Sequence, residues 1–201
     1  MDSKKILFNT VSNFNKKVAM LSNYTSMPKN IEWPKNVDGK LLQCIAHIPT
    51  NFLNEILSIE LKSNHAISIF TYYDRDDYFL DKITYAGDQN DFKTVLSNTK
   101  VIFHEIGNDV YSLNKIDFPL NEFIISPEII KEDYYGSKIG GMPTFIQKKN
   151  LNIEEFRFIF QLYGGDFPED FNDIFYLSDS LGYLFIKDEM PFIGLFFTQA
   201  G

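Results

Sequence analysis

The apolar positions of the chain fall into short runs rich in β-branched and aromatic residues, and turn-forming or charged residues bound each run. Runs of about four to eight such residues are typical of buried β-strands. Shorter runs of the same kind add further strand candidates. We therefore predict strands over residues 41–48, 66–73, 100–104, 110–113, 123–125, 156–163, 182–187 and 192–198.

The N-terminal segment has the periodicity of an amphipathic helix. Its apolar positions and one threonine recur at three- and four-residue steps, at Ile6, Leu7, Thr10, Val11, Phe14 and Val18. This spacing places them on one helical face and predicts an N-terminal helix over residues 4–18. A similar pattern predicts a short helix over residues 52–61. Ser126 followed by Pro127 is typical of a helix start and predicts a helix over residues 126–133.

Strands outnumber helices in this pattern, and the two do not alternate regularly. The predicted fold class is therefore α+β, with mostly antiparallel sheets and a few helices. The order of features also repeats, because a Met-Pro dipeptide precedes a strand that contains Gln43 in the first case and Gln161 in the second. This repetition predicts an internal duplication. We expect two related halves, residues 24–115 and 134–199, packed as one body in a single domain, residues 1–201.

Composition narrows the classes of function. The chain of 201 residues is 44% hydrophobic and 16% aromatic, which is enough for a sizeable core. Its net charge of −8 argues against nucleic acid as a partner, because binding phosphates requires a basic face. No apolar run approaches the ~18 residues of a membrane-spanning helix. The N-terminal residues do not have the pattern of a signal peptide, so we expect a cytoplasmic protein that does not bind membranes.

Two acidic turns follow predicted strands at comparable places in the two halves. The first contains Asp74, Asp76, Asp77 and Asp81, and the second contains Asp166, Glu169, Asp170 and Asp173. The first turn does not fit a calcium-binding EF-hand loop, since Phe79 and Tyr85 stand where that loop needs Gly and Glu. The turns are either solvated loops or a binding surface for a basic protein. Aromatic anchors for such a partner would be Tyr72, Tyr73, Tyr78 and Tyr163.

The segment Gly140-Gly141-Met142-Pro143 is typical of a fixed backbone corner whose glycines adopt positive φ. Its spacing is not that of a phosphate-binding loop. We expect the glutamines of the repeated strands to bond backbone groups between the halves, because a buried amide needs partners. The alternative is a small-ligand cleft between the halves. Its lining would include Lys138, Gly140, Gly141, Gln161 and Asp179.

The sequence contains no arrangement typical of catalysis. Cys44 and His47 form one Cys-x-x-His without a second pair, so we predict no zinc site and no other metal. Cys44 lies within an apolar run, where a buried and unreactive thiol is expected. We predict no catalytic residues and no cofactor, although a Cys/His nucleophilic pair is possible in principle.

Several segments resemble the YwqG-like family, a bacterial family of unknown function. The second half contributes residues 137–143, 159–161 and 178–185, which read SKIGGMP, IFQ and SDSLGYLF. The first half contributes Glu32-Trp33-Pro34 and Leu41-Leu42-Gln43. Where the family often carries its first Ser-Lys-x-Gly-Gly, this chain has Tyr24-Thr25-Ser26. The resemblance implies an α+β fold with two related halves, and no established reaction.

Proteins similar to this family often belong to toxin–immunity settings, which implies a binding role. Our first hypothesis is a non-enzymatic binding protein, an immunity protein that neutralises a basic toxin through the acidic turns. The second hypothesis is a small-ligand binding module or an enzyme that uses the cleft between the halves. The third is a structural partner within a larger assembly.

Overall fold

Ten strands within the described residues form one antiparallel sheet. The structure is a computed structural model that describes residues 2–113, 118–131, 133–147, 151–171, 173–187 and 192–201, except for the side chain of Asp170. The strands of the first series are β1 (Ser3–Val11), β2 (Met20–Leu21), β3 (Gln43–Pro49), β4 (His65–Thr71) and β5 (Thr99–Glu105). Those of the second series are β6 (Leu120–Ile130), β7 (Lys138–Ile139), β8 (Arg157–Tyr163), β9 (Leu181–Lys187) and β10 (Ile193–Gln199). The helices are α1 (Thr50–Leu57), α2 (Leu80–Ile83) and α3 (Gln89–Asn98), with 3-10 turns at Gly164–Asp166 and Glu169–Phe171.

The strand order exchanges the first strands of the two series. It runs β10-β9-β8-β7-β1-β6-β2-β3-β4-β5. β1 therefore lies between β6 and β7, whereas β6 lies between β1 and β2. Each first strand pairs with the second strand of the other series. The predicted α+β class with mostly antiparallel pairing is confirmed.

The two edge strands approach each other, so the sheet nearly closes. Thr99 Oγ1 on β5 donates a hydrogen bond of 2.8 Å to the carbonyl oxygen of Phe196 on β10. Farther along, the rings of Phe103 and Phe192 stack with centroids 4.7 Å apart. These contacts cover edges that would otherwise offer unpaired backbone groups to another chain.

Strands β3 and β4 are buried along their whole length, because both faces of the sheet are covered there. On one face, Ile67 and Ile69 belong to the largest apolar cluster, which also contains Phe160. On the opposite face, Phe70 packs in a separate cluster with Trp33. Strands that are buried on both faces are rich in apolar residues, and β3 and β4 are so apart from buried polar positions such as His47 and Ser68. This is why the sequence predicts both strands.

β3 and β8 each contain a bulge at a comparable place. Ile45 is the extra residue of β3 against β4, and Ile159 is the extra residue of β8 against β9. Phe70 and Phe185 each lie opposite the residue that precedes the bulge. We call two residues bulge-aligned when they occupy the same position relative to the two bulges. Phe70 and Phe185 are such a pair.

This register differs from the one that the order of sequence features indicates. Gln161 lies two residues after the bulged Ile159, and His47 lies two residues after Ile45. Gln161 is therefore bulge-aligned with His47 and not with Gln43. A bulge shifts every later side chain by one position, which sequence order alone does not reveal.

The predicted N-terminal helix over residues 4–18 is wrong. Residues Ser3–Val11 form β1, which pairs with β6 on one side and with β7 on the other. Ile6 is buried while Leu7 is exposed, as expected when successive residues of a strand point to opposite faces. The two neighbouring strands supply ladder hydrogen bonds that override the weak helical preference of the segment.

The predicted helix over residues 126–133 is also wrong, because β6 continues to Ile130. Pro127 lies where the register between β1 and β6 shifts, so that residues 126–128 oppose Lys5 alone. Proline has no backbone donor, and an irregularity in a strand is one of the few places where a sheet tolerates it. The hydroxyl of Ser126 accepts a hydrogen bond from the backbone of Glu128 instead of capping a helix.

The other predicted elements agree with the structure to different degrees. Strands over residues 41–48, 66–73, 100–104, 156–163, 182–187 and 192–198 are confirmed with small boundary shifts, and residues 123–125 lie inside β6. The strand over residues 110–113 is wrong, since Tyr111 forms only an isolated bridge with Thr25. The helix over residues 52–61 is α1, which ends at Leu57 because Ser58 adopts the left-handed conformation. Neither α2 nor α3 corresponds to a predicted element.

Gly140 and Gly141 form the predicted backbone corner. Their φ angles are +76° and +66°, in the region that glycine adopts without steric cost. Ser3 Oγ donates a hydrogen bond of 3.2 Å to the carbonyl oxygen of Gly140. A Cβ atom at position 141 would overlap this serine. The corner is therefore fixed against the start of β1.

We expect Gly141→Ala to lower the free energy of unfolding by about 2–4 kcal/mol in urea denaturation. About 1–2 kcal/mol comes from holding a non-glycine residue at positive φ, and the rest comes from the overlap with Ser3. Gly39→Ala is the control, because Gly39 has φ +77° but no atom within 4 Å of an added Cβ. Equal losses in the two variants would contradict a tight approach of the corner to β1.

Candidate functional site

The acidic turn after β4 is partly neutralised by lysines. Asp74 lies 3.3 Å from the ammonium of Lys40, and Asp77 lies 2.9 Å from that of Lys82. The backbone N–H of Asp76, followed by Lys40, holds the pKa of Asp74 below its usual range. The hydrogen bond from Lys82 does the same for the pKa of Asp77. Two of the predicted carboxylates therefore already have cationic partners.

Tyr72 is not an exposed anchor, which corrects the prediction. Its side chain is only 1% exposed and packs with Phe79. The hydroxyl reaches the surface between Lys40 and Asp74, at 2.7 and 3.2 Å. The ammonium of Lys82 lies 4.3 Å from the ring centroid. Tyr72 belongs to the same buried cluster as Phe70 of β4, so it supports the acidic turn from the core side.

The acidic residues of the second turn differ in their contacts and exposure. Asp166 accepts a hydrogen bond of 2.7 Å from the backbone N–H of Ser137, so it holds the start of the segment that leads to the glycine corner. Glu169 is exposed. The side chain of Asp170 lies outside the described residues. Tyr163 is half-buried and packs against Tyr135.

The structure brings parts of the two acidic turns together. The half-buried Tyr73 donates a hydrogen bond of 2.8 Å from its hydroxyl to Asp173, one hundred residues away in sequence. Beside this bond, the rings of Tyr78 and Tyr176 meet edge to face with centroids 5.0 Å apart. We call the resulting patch the acidic tyrosine surface. It consists of Arg75, Asp76, Asp77, Tyr78, Asp81, Asp173 and Tyr176.

Tyr78 and Tyr176 have unusual properties within the acidic tyrosine surface. Tyr78 is 51% exposed, and a hydrogen bond from its hydroxyl to Asp81 raises the pKa of the phenol. Tyr176 has φ +72°, a left-handed conformation that is costly for a bulky side chain. Contact with Phe79 and Tyr78 holds Tyr176 in place. Sequence reasoning named Tyr78 but missed Tyr176, because a positive φ in an aromatic residue has no sequence signal.

Lys138 and Gln161 do not line an open cleft, which corrects the alternative prediction for these residues. Both side chains are fully buried. Lys138 Nζ donates a hydrogen bond of 2.7 Å to Thr144 Oγ1. The amide of Gln161 accepts from the backbone N–H of Thr144 and donates to the carbonyl oxygen of Gly136. Gln161 therefore bonds backbone groups, but they lie within residues 134–199, and the amide of Gln43 donates to the carbonyl oxygen of the adjacent Cys44. The predicted bonds between the halves are therefore wrong, and Gln161 instead fixes the segment around the glycine corner.

The other three residues of the predicted ligand cleft do not lie together, because the two glycines border adjoining depressions and Asp179 does not. Gly141 borders an apolar groove of about 530 Å³. Gly140 borders a neighbouring recess that shares Gly141, Arg157 and Phe158 with this groove. Asp179 is exposed and is not among the residues that line the groove. The groove is lined by Gly141, Met142, Pro143, Phe145, Leu151, Asn152, Ile153, Glu154, Phe156, Arg157, Phe158 and Phe185.

A buried polar chain crosses β3, β4 and β5. Ser68 Oγ lies 2.8 Å from His104 Nε2 and 3.5 Å from His47 Nδ1. Thr25 Oγ1 lies 2.8 Å from Ser68 Oγ, and His47 Nε2 lies 3.1 Å from the carbonyl oxygen of Lys16. Burial lowers the pKa of His47 to about 4 and also lowers that of His104. Both imidazoles are therefore neutral at physiological pH.

Cys44 is buried as predicted, and burial raises the pKa of its thiol. A thiol held in its protonated form is a poor nucleophile at neutral pH. Within the described ranges, no group of three or more His, Cys, Asp or Glu side chains is arranged to hold a metal ion. None of the helices in those ranges has the length and apolar character needed to cross a lipid bilayer.

Comparison with known proteins gives no assignment. No protein-family model matches the chain, and no curated protein matches it. Function is therefore inferred from the geometry of the acidic tyrosine surface and of the groove.

We expect stability to fall as the pH decreases from about 6.5 to about 4. The unfolded imidazole of His47 titrates near 6.5, and the native one titrates near 4, so the unfolded state takes up the proton first. The loss approaches about 3 kcal/mol for His47 when the native imidazole also titrates. His104 acts in the same direction. Urea denaturation across this pH range measures the effect.

The matched control for this pH dependence is His47→Gln. It introduces the residue type that is found at the bulge-aligned position, Gln161, and the new side chain does not titrate. Its stability curve should be flatter between pH 6.5 and 4, whatever its stability at neutral pH. An unchanged slope would contradict the assignment of this pH dependence to His47.

Proposed function

We propose that this chain is a non-enzymatic binding protein whose partner-facing site is the acidic tyrosine surface. The observation that carries the proposal is the hydrogen bond between Tyr73 and Asp173, because it joins turns from two distant parts of the chain into one patch. A patch assembled in this way has a defined shape, which separate solvated loops would lack.

The chemistry of the patch favours a cationic polypeptide as the partner. Asp76 and Asp81 are exposed, and the chain carries a net charge of −8. Charge complementarity of this kind accelerates encounter and excludes acidic competitors. The exposed Tyr78 and the neighbouring Arg75 are residue types that contribute strongly to binding energy. The strained Tyr176 is supported from behind, so its ring is already positioned before a partner binds.

We further propose an immunity-type role, in which the protein neutralises a basic toxin by covering its cationic face. The resemblance to the YwqG-like family supports this role, and membership of that family stays a prediction. Neutralisation through binding requires no catalytic group. The buried, protonated thiol of Cys44 and the buried imidazole of His47 are consistent with such a role.

The two related halves are part of the same proposal. Each five-strand series ends in an antiparallel meander, and β3 and β8 carry bulges at comparable places. Each first strand pairs with the other series, as expected if two copies of one unit exchanged these strands. We propose that duplication produced this arrangement, with His47 and Gln161 at equivalent positions.

The test of the binding surface is a pull-down with tagged protein from lysate of its native cells at low and high salt. The wild type should retain one basic protein in stoichiometric amount, and high salt should weaken the association. The double variant D76K/D81K should lose this partner, since it replaces two exposed carboxylates of the patch with cations. Tyr78→Ser should weaken binding of the purified partner about tenfold or more, because it removes an aromatic anchor.

The matched control is E60K/E128K, which reverses two exposed carboxylates outside the patch. Both double variants change the net charge from −8 to −4, through two changes of +2 each. A loss confined to D76K/D81K therefore reports the position of the charge. Equal binding by both double variants would show that the acidic tyrosine surface is not the site.

A further inference from the structure

The groove beside the glycine corner corresponds in position to the place of Trp33 in the first half of the chain. Trp33 is almost fully buried and lies edge to face on Phe70, with ring centroids 5.1 Å apart. Its indole N–H donates a hydrogen bond of 2.8 Å to the carbonyl oxygen of Leu42. Met27 and Cys44 belong to the same buried cluster.

The residues that surround Trp33 have counterparts in the lining of the groove. Bulge alignment matches Phe70 with Phe185, Cys44 with Phe158 and Leu42 with Phe156. The Met-Pro dipeptides match Met27 with Met142. All four counterparts line the groove: Met142, Phe156, Phe158 and Phe185.

The chain has no second tryptophan to occupy this place, because Trp33 is its only one. Phe145 forms one wall, and its ring centroid lies 6.3 Å from that of Phe185. The two methionines differ in exposure. Met27, in the cluster with Trp33, is 1% exposed, whereas Met142, which lines the groove, is 61% exposed. A groove of about 530 Å³ remains where the first half has a packed indole.

We infer that this groove binds a small bicyclic aromatic molecule of the indole class. Its volume and its mostly aromatic and aliphatic lining are those of a small-molecule site. Trp33 shows how such a ring is held: edge to face on a phenylalanine, with its N–H directed to a backbone carbonyl. In the groove, the corresponding ring is Phe185 and the corresponding acceptor is the carbonyl oxygen of Phe156. This inference uses the bulge alignment and does not depend on the acidic tyrosine surface.

The test is a titration of ¹⁵N-labelled protein with indole, followed in amide correlation spectra. Signals of Gly141, Arg157 and Phe185 should shift in a saturable manner. The indole N–H signal of Trp33 should stay in place, because that ring is already buried elsewhere. 1-Methylindole, which lacks the N–H donor, should bind several-fold more weakly, and the non-aromatic cyclohexanol should not compete.

Glu154→Trp is the blocking variant, because Glu154 is exposed and lines the groove. Its introduced ring should fill the groove and weaken indole binding at least tenfold. Glu155→Trp is the matched control, since Glu155 is also exposed but does not line the groove. Thermal melts and the Trp33 signal establish that both variants are folded. If Glu154→Trp does not fold, Phe158→Ala serves as the second variant, with the same expected loss.

Three outcomes would overturn the inference. The first is the absence of saturable shifts around the groove, and the second is equal binding of cyclohexanol. The third is binding of a short tryptophan-containing peptide without binding of free indole. That result would make the groove a docking site for a polypeptide instead of a small-molecule site.

Discussion

The pairing of β1 with β6 is the constraint on which the rest of the structure depends. These two strands lie at the centre of the sheet, and each also pairs with the second strand of the other series. The exchange ties two meanders that are distant in sequence into one nearly closed sheet. It makes their apolar faces share a cluster that contains Ile6, Ile67 and Phe160.

Buried polar side chains at bulge-aligned positions hold the segments that cover the sheet. His47, on β3, contacts the backbone near Lys16, while Gln161, on β8, holds the backbone around the glycine corner. On the last strand of the second meander, Gln199 accepts hydrogen bonds from two backbone N–H groups and donates to the carbonyl oxygen of Tyr85. Because an unpaired buried polar group is costly, these side chains hold the covering segments in fixed positions.

The sequence predicts the buried strands of the meanders because apolar, β-branched and aromatic residues predominate in them. It fails at β1, where a helical spacing of apolar residues competes with strand pairing that only the partner strands reveal. It fails again at Pro127, which indicates a helix start but occupies an irregularity in β6. At the candidate site, the acidic residues are visible in sequence. The contact between Tyr73 and Asp173 depends on the fold of the whole sheet and has no local signal.

The two strand series differ in what covers them beside their bulges. In the first series, the buried Trp33 packs on Phe70. In the second series, an apolar groove lies beside Phe185, the residue that is bulge-aligned with Phe70. Within the first series, Tyr72 is buried, whereas Tyr78 in the turn that follows is exposed. Both series end in an antiparallel meander with a bulge at a comparable place, so the groove is a place where they differ and where we propose that a small molecule binds.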